Sequence, residues 1–249
     1  MQIKAVKTTL AGIRQLRELF LQEANCQIRY HACHERNWSD LYLLTAAGVE
    51  IGYGAIKGFE SLAARDTVFE FYLIPTFRKH AIPAFGALLE ASKAGYVECQ
   101  SNVPFFTSLA YRFFQNIEAS AVLFEDQPVT EYLLPEVIFR KKRPEDAIFD
   151  HQTEPVGDYL LESEGVVVAT GGFFGHYNPP FADLYMEVAA GFRNRGLGSF
   201  LLQELKRECY LSGRIPAARC RIDNAASMAT LQKTGFIIAG YLLAGEIKK

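Results

Sequence analysis

The sequence predicts a mixed α/β (α+β) protein of two similar halves, each a mixed central sheet flanked by helices. Three observations predict it. Short runs of apolar or alternating residues, bounded by Gly, Pro and Asn, read as strands. Longer stretches between them place apolar residues on one face at a helical period. The same order of elements occurs twice. A chain of 249 residues, 49% hydrophobic and 22% charged, is long enough to bury two cores of ordinary size.

In the N-terminal half, a helical segment covers about Thr8 to Glu23. Leu41 to Thr45 and Ile51 to Ile56 form a hairpin-like pair, and Thr67 to Ile74 is a third strand. Ala81 to Ala94 is a helix, Tyr96 to Gln100 a strand and Pro104 to Phe114 a helix. Pro128 and Pro135 bracket a mixed stretch that marks a linker. The expected domains are therefore 1–126 and 137–249, with a linker at 127–136.

The C-terminal half repeats the plan. Asp158 to Glu162 and Val166 to Phe174 flank a Glu164-Gly165 turn, as in a hairpin. Phe181 to Ala189 is the next strand, after Asn178-Pro179-Pro180. Gly196 to Leu211 is a helix with apolar residues at 197, 200, 201, 205 and 209, and Gly213 stops it. Ala218 to Ile222 is a strand. Asp223 or Asn224 caps a helix that runs through Lys233 and ends at Gly235. Phe236 to Leu243 is expected to close the sheet.

The most informative segment joins that third strand to its helix: Val188-Ala189-Ala190-Gly191-Phe192-Arg193-Asn194-Arg195-Gly196-Leu197-Gly198-Ser199. The first N–H groups of a helix have no partner within it, and the helix dipole is positive at that end. Both favour a bound phosphate. Gly196 and Gly198 let backbone approach the oxygens without a Cβ in the way. The spacing is neither a dinucleotide G-x-G-x-x-G nor a Gly-Lys-Ser/Thr loop. A loop without a ligand is the plain alternative.

The repeat holds residue by residue at this turn. Arg193 is followed three and five residues later by Gly196 and Gly198. Arg78 is followed at the same distances by Ala81 and Pro83. Proline offers no N–H to a phosphate. A second landmark repeats as Gln100-Ser101-Asn102 and Ile222-Asp223-Asn224, each at a strand end before a helix. The first half reads as a copy of the fold that has lost its anion cradle.

With Arg193-x-x-Gly196-x-Gly198 after Glu187-Val188, and Asn224-x-x-Ser227 before Lys233-x-Gly235-Phe236, the chain resembles the GNAT superfamily of N-acetyltransferases. The resemblance is strong from about Phe149 to Lys249 and weaker in the first half, so the whole resembles a tandem GNAT protein. It implies acetyl-CoA as cosubstrate and an amine, on a small molecule or a peptide, as acceptor. It also implies a β-bulge that splays the strand before the turn, so that the pantetheine arm pairs with Val188, Ala189 and Ala190. Arg193, Asn194, Arg195, Gly196, Leu197, Gly198 and Ser199 would hold the diphosphate. Asn224 would bind the pantetheine arm, with Ser227 close by.

Direct transfer needs an unprotonated amine and then a proton for the leaving thiolate. Asp183, Tyr185 and Glu187 share one face of a strand. Glu187 is nearest the expected thioester and is the expected base; a structural carboxylate is the alternative. The family's usual thiolate acid, a tyrosine seven residues after the asparagine, is here Leu231. Ser227, Tyr185 or a water would have to substitute.

Several classes are disfavoured. A net charge of −2 makes no electrostatic case for nucleic acid. No stretch approaches the roughly 18 apolar residues that span a bilayer, and Met1-Gln2-Ile3-Lys4 opens no signal-peptide core. Five scattered cysteines suggest free thiols in a reducing cytoplasm. Cys26, His31, Cys33 and His34 lie close together but lack a C-x-x-C pair, so no metal is expected. The stretch Gln27-Ile28-Arg29-Tyr30 to Trp38 either lines an acceptor pocket or packs the first helix. His176 and Tyr177 could reach the acceptor side. A non-catalytic acyl-CoA-binding or sensor protein is the alternative function, and a scaffold of two inactive copies a further one. A monomer or a homodimer fits either.

Overall fold

The computed structural model describes residues 2–24, 30–61, 63–153 and 155–248, with Tyr30 described in its backbone only. Cys26 and Gln27-Ile28-Arg29 lie outside the described residues. The chain divides into two compact units, Met1–Ala121 with Gly240–Lys249, and Val122–Ala239.

The first unit contains β1 (Ile3–Thr8), α1 (Leu10–Glu23), α2 (Tyr30–Glu35), β2 (Ser39–Ala46), β3 (Val49–Lys57) and β4 (Thr67–Leu73). A 3-10 turn (Pro75–His80), α3 (Ala81–Ser92), β5 (Tyr96–Gln100), α4 (Pro104–Phe113) and the start of β6 (Phe114–Asp126) follow. In the second unit β6 ends, and β7 (Val137–Lys141), β8 (Tyr159–Ser163), β9 (Val166–Phe174) and β10 (Phe181–Val188) follow. A second 3-10 turn (Ala190–Phe192), α5 (Leu197–Leu211), β11 (Ile215–Arg221), α6 (Ala225–Lys233) and the start of β12 (Phe236–Ile247) complete it. The expected elements are present. Three strands, β1, β6 and β7, join those expected from the pattern.

In the first unit the strand order is β1-β2-β3-β4-β5-β12-β6. The last strand therefore does not only close the C-terminal sheet, as expected. Its residues Leu242 to Glu246 pair antiparallel with Gln100 to Tyr96 of β5. Alternation along β3 and β4 sends two sets of side chains to opposite faces. Phe71 and Leu73 face Ala84, Phe85 and Leu88 of α3 in one core. Tyr53 and Tyr72 face α1, where the Phe20 ring lies 6.3 and 6.0 Å from theirs.

In the second unit the order is β6-β11-β10-β9-β8-β7. Ala182, Leu184, Met186 and Val188 of β10 pack on Leu197, Leu201, Leu202 and Leu205 of α5. Those α5 positions make one helical stripe, which is why this run forms an amphipathic helix. The other face of β10 carries Asp183, Tyr185 and Glu187. The described residues between β7 and β8 form no helix. Where the first unit lays α1 on its sheet, the second lays an irregular stretch that includes His151, Gln152 and Thr153.

Candidate functional site

β10 and β11 run parallel, but they pair only from Phe181↔Ile215 to Asp183↔Ala217. Beyond that register β10 continues to Val188 and β11 to Arg221. The gap between them is a cavity of about 190 Å³, lined by Asp183 to Met186, Ala218 and Arg219, and closed by Ser227 and Leu231 of α6. The expected β-bulge is not what parts the strands. β10 keeps an even register with β9 from Asp183↔Phe174 to Val188↔Ala169. The unpaired edge also begins earlier, at Leu184. Of the expected arm-binding residues, Val188 has its carbonyl taken by Arg193 Nε at 3.1 Å, and Ala189 donates its N–H to Val168.

The gap opens toward a larger cavity of about 540 Å³ at the N-terminus of α5. Gly196 is the cap residue, with φ at +81°, and no side chain caps the helix. Phe200 N–H already reaches the Gly196 carbonyl at 3.0 Å, leaving the first-turn donors before it without a helical partner. Only the Gly196 conformation demands glycine on backbone grounds, since a side chain there would strain the left-handed region. Gly198 has a packing reason as well. A Cβ on it would stand 3.0 Å from Met186 Cε and 3.3 Å from Thr230 Cγ2. It is small because β10 and α6 pack against it.

Arg193, Asn194, Gly196, Leu197, Gly198, Ser199, Asn224 and Ser227 all line this cavity, as do Glu187 and Val188. Ala189, Ala190 and Arg195 do not. Arg195 turns back to the Gly191 carbonyl at 3.2 Å and lies over the Phe192 ring. Leu197 and Ser199 contribute backbone, because their side chains are buried. Asn224 caps α6 by accepting the Ser227 N–H at 3.0 Å on Oδ1, which leaves its amide N–H groups for a ligand. Ser227 lines both cavities, and its hydroxyl bonds to Cys220, whose thiol burial pushes up. Sequence reasoning did not name Gln152, Met186, Phe192, Thr230 or Lys233 as binding residues, although Lys233 opens the Lys233-x-Gly235-Phe236 motif. The cavity fits an extended diphosphate ligand: donor groups at a helix N-terminus, Arg193 and Lys233 for charge, and an unpaired strand edge beyond.

Glu187 is 12% exposed in its side chain. Its carboxylate accepts from Gln152 N at 3.0 Å and from Thr153 N and Oγ1 at 3.2 and 3.1 Å. Burial pushes its pKa up, but these donors outweigh burial and the net shift is downward. Asp183 is buried and pairs with His176 Nε2 at 3.1 Å. Phe174 stacks with both His176 and Tyr185, at 4.8 and 4.3 Å. Burial, then Asp158 and Asp183, push the Tyr185 phenol up to about 12. A third cavity, about 190 Å³, lies on this face and is lined by His151, Thr153, Thr170, Phe174, Tyr185 and Glu187, among others. Tyr177 lies apart from that lining, fully buried with Phe181 and Ala217.

The first unit keeps the frame of this site and fills it. Arg78 Nε reaches the Leu73 carbonyl at 3.3 Å, as Arg193 reaches Val188, five residues back in each copy. Three residues after Asn102, where the second copy has Ser227, stands Phe105. Its ring stacks on Phe71 at 5.9 Å and lies 4.8 Å under the Arg78 guanidinium. On the opposite sheet face, Glu70 is buried with His34 Nε2 at 2.9 Å, the Tyr53 hydroxyl at 2.9 Å and Arg17 Nε at 3.6 Å. Among the described residues no cluster of His, Cys, Asp or Glu could hold a metal. No helix among them is long and apolar enough to cross a membrane.

Two family models match the chain. The acetyltransferase (GNAT) family matches residues 123–236, and a second acetyltransferase (GNAT) domain matches residues 10–127. No curated protein matches the sequence. Among solved structures, a GNAT-family acetyltransferase from Colwellia psychrerythraea superposes with a TM-score of 0.77 at 14% identity, covering 100% of both chains. A tandem GNAT protein from the clavulanic acid biosynthesis pathway gives 0.61 at 10% identity, covering 98% of each chain. A GCN5-related N-acetyltransferase from Sphaerobacter thermophilus gives 0.59 at 14%, covering 99% of this chain and 96% of that one. At such identities these likenesses speak to fold. Together with the two matched domains, the parted strands and the uncapped glycine turn, they place the chain in the GNAT acetyltransferase family, with two of its domains in tandem.

Proposed function

We propose that the second unit transfers an acetyl group from acetyl-CoA directly to the amine of a small molecule or peptide. The observation that carries this reading is the uncapped N-terminus of α5 opening onto the gap between β10 and β11. Backbone N–H groups from Gly196 to Ser199, with Arg193 and Lys233, hold the diphosphate. The edge of β10 from Leu184 and the Asn224 amide hold the pantetheine arm. Acetyl-CoA supplies the activated acyl group; the residues around it orient it and manage protons.

Glu187 is ionised, with its oxygens already accepting from residues 152 and 153. That supports a role in drawing the acceptor's ammonium group to the site and ordering the loop. Ser227 brings a hydroxyl to the gap and takes the place of the tyrosine that Leu231 replaces in supplying the leaving thiolate's proton. The Tyr185 phenol leans over Gly172 of β9 instead. The first unit stabilises the fold and binds no coenzyme, because Phe105 and Phe71 occupy the corresponding space.

Calorimetric titration of acetyl-CoA into the wild type and Gly198→Pro tests this. The proline removes one phosphate donor, and because its ring also meets Met186 and Thr230, circular dichroism of the variant is read alongside to show that the helix persists. The expected result is one equivalent bound by the wild type and none by the variant. No binding by the wild type refutes the reading. The second reading, an acyl-CoA sensor, draws on Leu231 and on the occupied Glu187 carboxylate. It predicts binding without transfer to any amine.

A further inference from the structure

We propose that Thr170 and His151 form the proton-accepting pair of the acceptor site, and that the acceptor is a small primary amine. The inference rests on the reading above. Glu187 is the carboxylate expected to act as base. Three donors from residues 152 and 153 surround its oxygens, and its pKa falls despite burial. A carboxylate so held is a weak base.

Directly across the sheet from Glu187, in register on β9, is Thr170. Its hydroxyl lies 2.6 Å from His151 Nε2. His151 Nδ1 lies 2.9 Å from the Phe149 carbonyl, and its ring stacks on that phenylalanine at 4.4 Å. A carbonyl oxygen only accepts, so Nδ1 carries hydrogen. In the neutral ring Nε2 is then bare and accepts the Thr170 O–H. With an added proton, Nε2 donates to the same oxygen. Hydroxyl, imidazole and an orienting acceptor stand in line, the arrangement that moves a proton off a reacting group.

The first unit shows what this face does without such a site. There the cross-strand pair at the same place is Tyr53 and Tyr72, sealed by Phe20 of α1. The second unit leaves a cavity of about 190 Å³ over Thr170 and Glu187. That is below the roughly 300–1,000 Å³ of ordinary small-molecule sites, so it admits a small amine. Glu187 supplies the charge that attracts it, and Phe174 and Tyr185 the apolar wall.

In the step, the amine nitrogen bonds to the acyl carbon and the carbon–sulfur bond breaks. The bound ammonium first loses one proton to solvent by way of Thr170 Oγ1 and His151 Nε2; once the freed nitrogen has bonded to carbon, its next proton passes to Thr170 Oγ1 as the hydroxyl proton passes to His151 Nε2. The proton on the imidazolium returns to solvent, and the thiolate is reprotonated to CoA thiol. Amine and acetyl-CoA give amide and CoA, with nothing oxidised or reduced.

The test uses the full chain as wild type, His151→Gln, Thr170→Val and Thr170→Ser. Acetyl-CoA affinity by calorimetry should be the same in all four. Transfer to a panel of alkylamines and amino-acid amides should fall about 100-fold in kcat for His151→Gln and Thr170→Val, and only a few-fold in Thr170→Ser. Nitrogen-15 spectra of the histidine rings, assigned by the signal missing from His151→Gln, should show Nδ1 protonated and Nε2 bare. That pattern should be altered in Thr170→Val. A His151 ring protonated at Nε2 alone overturns the pair regardless of activity. Transfer that survives His151→Gln overturns it while leaving the transferase reading in place. Transfer only to peptides, or binding without transfer to any amine, overturns the small-amine assignment. Failure of the wild type to bind acetyl-CoA overturns the reading beneath it.

Discussion

At the scale of the residue, Glu70 makes the sharpest prediction. Burial alone would push its carboxyl up, but His34, Arg17 and the Tyr53 hydroxyl outweigh burial and hold it at about 2. A carboxyl whose folded pKa lies below its unfolded value stabilises the fold above the unfolded pKa, about 4.3. It loses that contribution as pH falls toward the folded one. The first unit should therefore lose about 3 kcal/mol between roughly pH 4.3 and 2 from this group alone. Glu70→Gln should remove that slope. It should also cost about 3–5 kcal/mol near neutrality, because it removes a buried carboxylate that faces both Arg17 and His34. Urea unfolding followed across pH checks both. Gly196→Ala is the counterpart in the second unit. Nothing lies within 4 Å of a Cβ there, so the cost is the left-handed backbone, about 1–2 kcal/mol. Acetyl-CoA affinity should drop with it, read by calorimetry.

At the scale of the element, α6 has two duties at its first residue. Asn224 caps the helix through Oδ1 and offers its N–H groups to the cavity. Asn224→Ala should lose about 0.5–2 kcal/mol of stability and weaken acetyl-CoA binding. Asn224→Asp keeps the cap oxygen but replaces the amide donors with charge. It should hold wild-type stability and still weaken binding, a separation that thermal unfolding and calorimetry would show together. If both variants destabilise equally, the cap geometry is not what holds α6. The loop that replaces α1 in the second unit matters in the same way, because three of its donors end on Glu187. Glu187→Gln should speed amide exchange at Gln152 and Thr153, observable by hydrogen exchange.

At the scale of the whole molecule, the first unit is completed by the last ten residues of the chain. A chain ended after Ala239 would bare the β5 edge from Tyr96 to Gln100, which invites aggregation. It should lose protection in β5 by hydrogen exchange, and the first unit should unfold at lower denaturant. Full-length protein should bind acetyl-CoA at one equivalent. Two equivalents would mean that Phe105 and Phe71 move aside in the first unit.

The tandem plan, the helices and the glycine turn were legible in the sequence because they are local. Periodicity in Leu197 to Leu211, the Arg193-x-x-Gly196-x-Gly198 spacing and the Asn224 cap each depend on residues a few positions apart. Pairing between distant strands leaves no such trace. The parting of β10 from β11 without a bulge depends on Ala217 and beyond, and β12 joins β5 across more than a hundred residues. The packing reason for Gly198 lies in Met186 and Thr230. Glu187 read as a base from its strand position, yet donors more than thirty residues away decide its chemistry. Local sequence was enough for most of the helices and strands and for the uncapped glycine turn, since helix ends and left-handed glycines act over one turn. Only the tertiary structure decided which carboxylate is spoken for and which hydroxyl meets an imidazole, because hydrogen bonds and burial are set by neighbours in space.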